Sequence, residues 1–160
     1  MADTFPALQQ SAALYAAAAS SIYTVARARL SEAEKTGTFP KQDSKEFNEM
    51  MGGLLGSVVL RAFSIELALK AVCVKRGVAY PRTHDLAKLF ATLPSTDRTA
   101  AAKGYEQKDA TSKGGLEALL KTNANAFEEW RYHHEYMPQT IAYEALAIAL
   151  NEIYVLLNEP

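Results

Sequence analysis

The carboxylate of Glu66 lies within Ser64-Ile65-Glu66-Leu67-Ala68-Leu69-Lys70-Ala71, inside the apolar stripe of its helix rather than opposite it. Steps of three and four residues place Leu55, Val59, Ala62, Glu66, Leu69 and Cys73 on one face. An unpaired charge buried there costs several kcal/mol, so the acid requires partners. Arg131, His84 and His134 are the candidates, carried by Thr83-His84-Asp85-Leu86 and by the stretch from Phe127 through Trp130-Arg131-Tyr132. A cation and an imidazole together also suit a second chemistry. Metal-free cleavage of RNA needs a base for the 2′-hydroxyl, an acid for the leaving oxygen and a cation for the phosphate. Arg131 and His134 are three residues apart, so on a helix they share a face and can address one phosphate. His133 points about 100° away from His134.

The same residues have a structural reading. Arg131 pairs with Glu66 inside the fold, with Trp130 and Tyr132 packed around it, and Lys70 joins the polar cluster. His133 and His134 occupy the last turn before Pro138, where the helix dipole favours positive charge. Thr83 caps a short helix beginning at His84, Asp85 suits its first turn, and His84 holds the Gly77-to-Thr83 loop by a side-chain hydrogen bond. Cys73 is core, with no base nearby to make it a nucleophile. Three histidines without an HExxH or paired-cysteine spacing give no metal signature, and no dinucleotide or phosphate-loop fingerprint is present.

The elements that must position these groups are helical. Alanine-rich sequence predicts a first helix over about 4–34, with Leu8, Ala12, Tyr15, Ala19, Ile22, Ala26 and Leu30 on one face. Asp43 or Ser44 caps a second helix that runs to about Arg76 and ends at Gly77. Gly52, Gly53 and Gly56 inside it let another helix approach closely. After the short helix from His84 to about Thr92, a further helical stretch runs from Pro94 to about Tyr105. The lysine-rich stretch from Glu106 to Gly115 reads as a loop. The helical period returns from Leu116, placing Leu116, Leu120, Phe127, Arg131 and His134 on one face, and Pro138 ends that helix near Glu135. A last helix covers Thr140 to about Asn158. No segment alternates like a strand. The fold class is therefore all-α: an antiparallel four- to five-helix up-and-down bundle with short connecting helices.

Composition agrees. Of 160 residues, 49% are hydrophobic, with only six prolines and eight glycines, as in a folded chain of one domain over 1–160. Seventeen basic and eighteen acidic residues leave a net charge of −1, which excludes a general polyanion binder but not a local basic cleft. Lys103, Lys108, Lys113 and Lys121 make one such region. A single cysteine and the absence of a long apolar run or a positive leader predict a cytoplasmic protein with no membrane span.

Taken in order, Ser64 to Ala71, Gly77, Thr83-His84-Asp85-Leu86 with Leu89-Phe90, and Phe127-x-x-Trp130-Arg131-Tyr132-x-x-Glu135 resemble the HEPN family of helical domains found in prokaryotic nucleotide-binding and defence proteins. The resemblance covers residues 50–157 best, and the first helix is generic. It implies a four- or five-helix bundle that pairs into a homodimer. Many such domains are metal-independent endoribonucleases of toxin–antitoxin or abortive-infection systems. Their motif is an arginine and a histidine with four to six residues between them, meeting its copy across the dimer cleft. This sequence departs from that spacing. Positions 136 to 138 are Tyr136, Met137 and Pro138, and the histidines come earlier, at His133 and His134. It is closer to the branch with a Trp-Arg-Tyr segment. The resemblance implies a binding or effector module of a bacterial stress, toxin–antitoxin or phage-defence system. The alternatives are a ribonuclease using Arg131 and His134 from both subunits, and a structural partner of a separately encoded nucleotidyltransferase. RNA or a nucleotide is the expected ligand, and a second copy, a nucleotidyltransferase or an antitoxin the expected partner. No cofactor or metal is expected.

Overall fold

The computed structural model describes residues 4–109, 114–124 and 143–158. Among these residues the chain is all-helical: α1 (Phe5–Thr36), α2 (Lys45–Lys75), α3 (Leu86–Thr92), α4 (Ser95–Lys108), α5 (Gly115–Thr122) and α6 (Tyr143–Asn158). Pro6 falls in the first turn of α1, where its missing N–H goes unneeded. The buried positions of α1 are Leu8, Ala12, Ala19, Ala26 and Ala33. From Ala12 onward they recur every seven residues, the repeat of a helix that keeps one seam against a single neighbour. That neighbour is α2. Tyr15 and Ile22, expected in the stripe, remain 37% and 40% exposed, and among the described residues no second helix covers their side of α1.

The α1–α2 pair is antiparallel. Ser64 Oγ donates to the Ala12 carbonyl at 2.7 Å near one end, and Arg29 meets Glu49 at 2.7 Å near the other. Alanine seams allow the axes to come close, and Gly53 completes the approach. A Cβ at that glycine would lie 2.9 Å from the Ala26 Cβ, inside van der Waals contact. Among the described residues Gly52 and Gly56, expected to serve the same purpose, meet nothing within 4 Å. One glycine of the three is used.

The second half of α2 is the axis of the core. Ile65, Ala68, Leu69, Ala71, Val72 and Cys73 are fully buried, and Leu146, Ala149, Leu150 and Ile153 of α6 pack into the same cluster. α6 runs in the same direction as α2. Arg61 reaches Tyr143 at one end, and the Lys75 ammonium donates to the Leu157 carbonyl at 2.8 Å at the other. The short helices α3 to α5 lie on the path between these two parallel neighbours.

Three boundaries differ from the sequence expectation. Helix α4 continues to Lys108, past Tyr105 and into the stretch expected to be loop. Two bonds hold its last turn: the Lys108 ammonium meets Glu152 of α6 at 2.5 Å, and the buried Tyr105 hydroxyl donates to Asp109 at 2.7 Å. Helix α5 stops at Thr122 rather than running on toward Glu135. The buried Asn123 side chain donates to the Leu119 carbonyl at 2.9 Å, alongside its own amide at 3.1 Å, closing the helix there. Helix α3 begins at Leu86, two residues later than expected, for a reason given with the site.

Candidate functional site

Glu66 lies about two and a half turns from the end of α2, and its residue is 2% exposed. Its carboxylate meets two donors. The Lys70 ammonium, one turn on, donates to Oε1 at 2.6 Å, and His84 Nδ1 stands 3.0 Å from Oε2. Glu followed by Lys at i+4 is the favourable order on a helix. Here it works inside the fold, with the Lys70 side chain 15% exposed. The ammonium also lies 5.9 Å from the centroid of the Tyr80 ring, within cation–π reach. An ionised carboxylate only accepts, so in a hydrogen bond to one His84 Nδ1 is the donor. The imidazole itself is 46% exposed, presented at the surface by a carboxylate beneath it.

The route from Glu66 to His84 is set by backbone chemistry. Gly77 adopts φ +66° and ends α2 in a Schellman motif. Its amide donates to Val74 O at 3.1 Å, and the Val78 amide donates to Cys73 O at 2.9 Å. An L-residue with a side chain is strained at that φ. The chain thereby reverses and returns His84 to the flank of the helix it has just left. Asp85, not Thr83, is the N-cap of α3: its Oδ1 accepts the Lys88 amide at 3.0 Å. Thr83 Oγ1 instead accepts the Asp85 amide at 3.1 Å, fixing the residue before the helix. The Lys88 backbone amide, with its ammonium at 3.2 Å, holds the Asp85 carboxyl below the usual carboxylate range. His84 is bonded to Glu66, so it fastens the loop to α2 through the buried acid.

One further bond widens the site. The Leu86 amide, the first of α3, donates to the Ala124 carbonyl at 3.1 Å. Ala124 therefore lies beside the His84–Asp85 turn. The expected site residues Trp130, Arg131, Tyr132, His133 and His134 lie outside the described residues. The structure thus brings Glu66, Lys70, His84 and Asp85 together at one end of α2, and the pairing of Arg131 with Glu66 is not described.

Several charged groups escaped the sequence reading. Lys70 was placed in the polar cluster but not as the partner of Glu66, because an i,i+4 pair is ordinarily a solvated feature. Arg76 pairs with the buried Asp97 at 3.0 and 3.4 Å, tying the end of α2 to α4. Arg61 is 6% exposed and sits among Val58, Ala62 and Ile65. The signal available for it was the same as for Glu66, a charge at helical spacing within apolar residues. Burial raises the Cys73 thiol to about 11, so the cysteine is core. Among the described residues, no three His, Cys, Asp or Glu side chains are grouped to hold a metal, and no helix is long and apolar enough to cross a membrane.

A model of the HEPN domain matches residues 51–151, which span α2 through most of α6 and include every residue of this site. The chain belongs to the HEPN domain family. Membership suggests a nucleotide- or RNA-related effector module. No curated protein and no solved structure matches the chain.

Proposed function

We propose that this chain is a HEPN-type binding and effector module of RNA or nucleotides, one domain over 1–160, acting in the cytoplasm in a bacterial stress, toxin–antitoxin or phage-defence setting. Its working end is where Glu66, Lys70, His84 and Asp85 meet. The observation that carries this reading is the half-exposed His84 imidazole, held at Nδ1 by a carboxylate that is itself buried. A surface imidazole with a fixed tautomer is pre-organised to meet a polar ligand. Ala124, held by the Leu86 amide beside this end, precedes Trp130, Arg131, Tyr132, His133 and His134 by six to ten residues in sequence. Arg131 supplies the phosphate-binding cation and Trp130 a ring on which a base can stack.

The proposed homodimer uses the outer face of α1, where Leu14, Ile22 and Val25 are 64%, 40% and 58% exposed. The Arg29–Glu49 pair on that face gives both signs of charge, as a patch facing its own copy requires. The second reading, a metal-independent endoribonuclease, assigns Arg131 to the phosphate and His134 to proton transfer in each subunit. A separately encoded nucleotidyltransferase or antitoxin remains the proposed partner class.

The test is fluorescence anisotropy with a labelled single-stranded RNA at low salt and in the presence of chelator. Wild type is expected to bind, and Arg131→Ala to weaken binding about tenfold and lower the salt slope by about one, as loss of one phosphate contact does. Unchanged affinity in Arg131→Ala, or no binding by wild type, contradicts the proposal. RNA breakdown in the same samples, lost in Arg131→Ala and His134→Ala while helicity is kept, selects the ribonuclease reading.

A further inference from the structure

Pro40 follows the break between the two long helices, and with Ala33 of α1 and Met50 of α2 it lines an open pocket at the tip of the α1–α2 pair. The cavity measures about 500 Å3. Ala33 and Met50 are 5% and 2% exposed, so they form an apolar floor that belongs to the packed seam. Four charged groups also line it, Arg29 against Glu32, Glu46 and Glu49. The one cation is already spent. Arg29 donates to Glu49 Oε2 at 2.7 Å, and the Lys45 ammonium stands 3.7 Å from the other oxygen of that carboxylate. Glu32 and Glu46 are exposed, and among the described residues neither side chain has a hydrogen-bond or ionic partner. Lys35 and Lys41 are near in sequence but do not line the pocket.

An apolar floor beneath two unpaired carboxylates selects its occupant by charge. An anion meets like charge on the rim. A lysine or arginine side chain matches both parts, because its methylene stem covers apolar surface while the charged head stays at the rim. Phe39, between the lining residues Thr38 and Pro40, is 56% exposed. Aromatic rings of this kind anchor protein interfaces, and a free polyamine offers no apolar group to cover one. The turn bearing Phe39 is held by its own bonds. The Thr38 amide donates to Thr36 Oγ1 at 3.3 Å, and the Ser44 amide to the Lys41 carbonyl at 3.0 Å. The surface is thus formed before a partner arrives, which lowers the ordering cost of binding.

We propose that this pocket docks a basic, apolar segment of a partner protein, seating a lysine or arginine side chain against Glu32 and Glu46 and an adjacent apolar residue on Phe39. Arg29 and Glu49 line both this pocket and its neighbour at Ile22 and Val25, so their ion pair marks the border with the face assigned to the homodimer. Met50 is about 24 Å along α2 from Glu66, and the docking site does not depend on the function proposed for that end.

The test is fluorescence anisotropy of the full chain with labelled peptides of equal length, in which lysine alternates with leucine, lysine with serine, or glutamate with leucine. The lysine–leucine peptide is expected to bind along a saturating one-to-one curve, the lysine–serine peptide at least about fivefold more weakly, and the glutamate–leucine peptide not at all. Glu32→Gln combined with Glu46→Gln is expected to weaken lysine–leucine binding about fivefold to tenfold, the size of two lost surface ion pairs. Phe39→Ser is expected to weaken it at unchanged charge. Glu106→Gln combined with Glu117→Gln removes the same charge from exposed positions on α4 and α5 and is expected to leave the affinity as it was. Equal losses in the two double variants show a general attraction to acid and overturn the proposal, as does a lysine–leucine peptide that fails to bind. Spermidine bound as tightly as the peptide makes this a polyamine site. A dimer in sedimentation that disappears in the Glu32→Gln, Glu46→Gln variant makes it a contact between copies. Either result overturns the assignment to a partner segment.

Discussion

A carboxylate removed from water keeps its charge only where donors replace its hydration. Glu66 has that replacement in Lys70 on its own helix and His84 from the following turn, at 2.6 and 3.0 Å. Asp85 shows a partly buried counterpart, a carboxylate held by the backbone amide of a helix start. Asp85→Ala should cost about 1 kcal/mol, the usual loss of an N-cap. Because the folded state lowers the Asp85 carboxyl, this stabilisation is complete above the unfolded value of about 4 and fades as pH falls through the lower folded value. Urea melts of wild type and Asp85→Ala at pH 7 and near pH 2 measure it, and a gap that stays constant across that range contradicts the assignment. Glu66 was legible from sequence because its place in the apolar stripe is a matter of counting. His84 was among the partners named for it, but Lys70 was not, since an i,i+4 lysine reads as surface until the helix is known to be covered. Arg61 passed unnoticed although its spacing carried the same signal.

Helices need covering as well as forming, and this separates what the sequence reveals about elements from what it hides. The two long helices, their break near Gly37 and the stop at Gly77 follow from local rules of propensity and capping. The buried face of α1 does not, because it depends on how many neighbours α1 has. With α2 as chief neighbour, the stripe narrows to a seven-residue alanine seam and leaves Tyr15 and Ile22 outside. The ends of α4 and α5 were likewise decided by contacts from elsewhere, Glu152 for one and the Asn123 side chain for the other. Three glycines that look alike in sequence differ in their surroundings. A methyl at Gly53 would press on Ala26, whereas methyls at Gly52 and Gly56 meet open space. Gly56→Ala should therefore gain up to about 1 kcal/mol from helix propensity. Gly53→Ala should fall below it by about 1–3 kcal/mol, the range for overpacking a tight contact. Parallel denaturant melts of the two variants decide this, and equal stabilities would show that the α1–α2 seam is looser than described.

At the scale of the molecule, α2 joins two polar centres set in one apolar core. The Glu66 centre faces the α3 turn, to which Ala124 is bonded, and the Arg61 centre faces α1 and the start of α6. Each is a charge within greasy packing, and each is where this helical fold departs from packing alone. The all-α bundle was readable from helical period and the lack of strand alternation. The parallel course of α2 and α6 was not, since it arises from the connection through α3, α4 and α5. Whole-chain unfolding in urea is where the Glu66 centre reports directly. Removing the acid leaves Lys70 and His84 without their shared partner, but both retain some access to water, so the loss belongs at the lower end for a broken buried pair. Glu66→Ala is predicted to lower the unfolding free energy by about 2–4 kcal/mol; a change below about 0.5 kcal/mol would contradict the claim that a buried carboxylate anchors His84 and with it the working end of the protein.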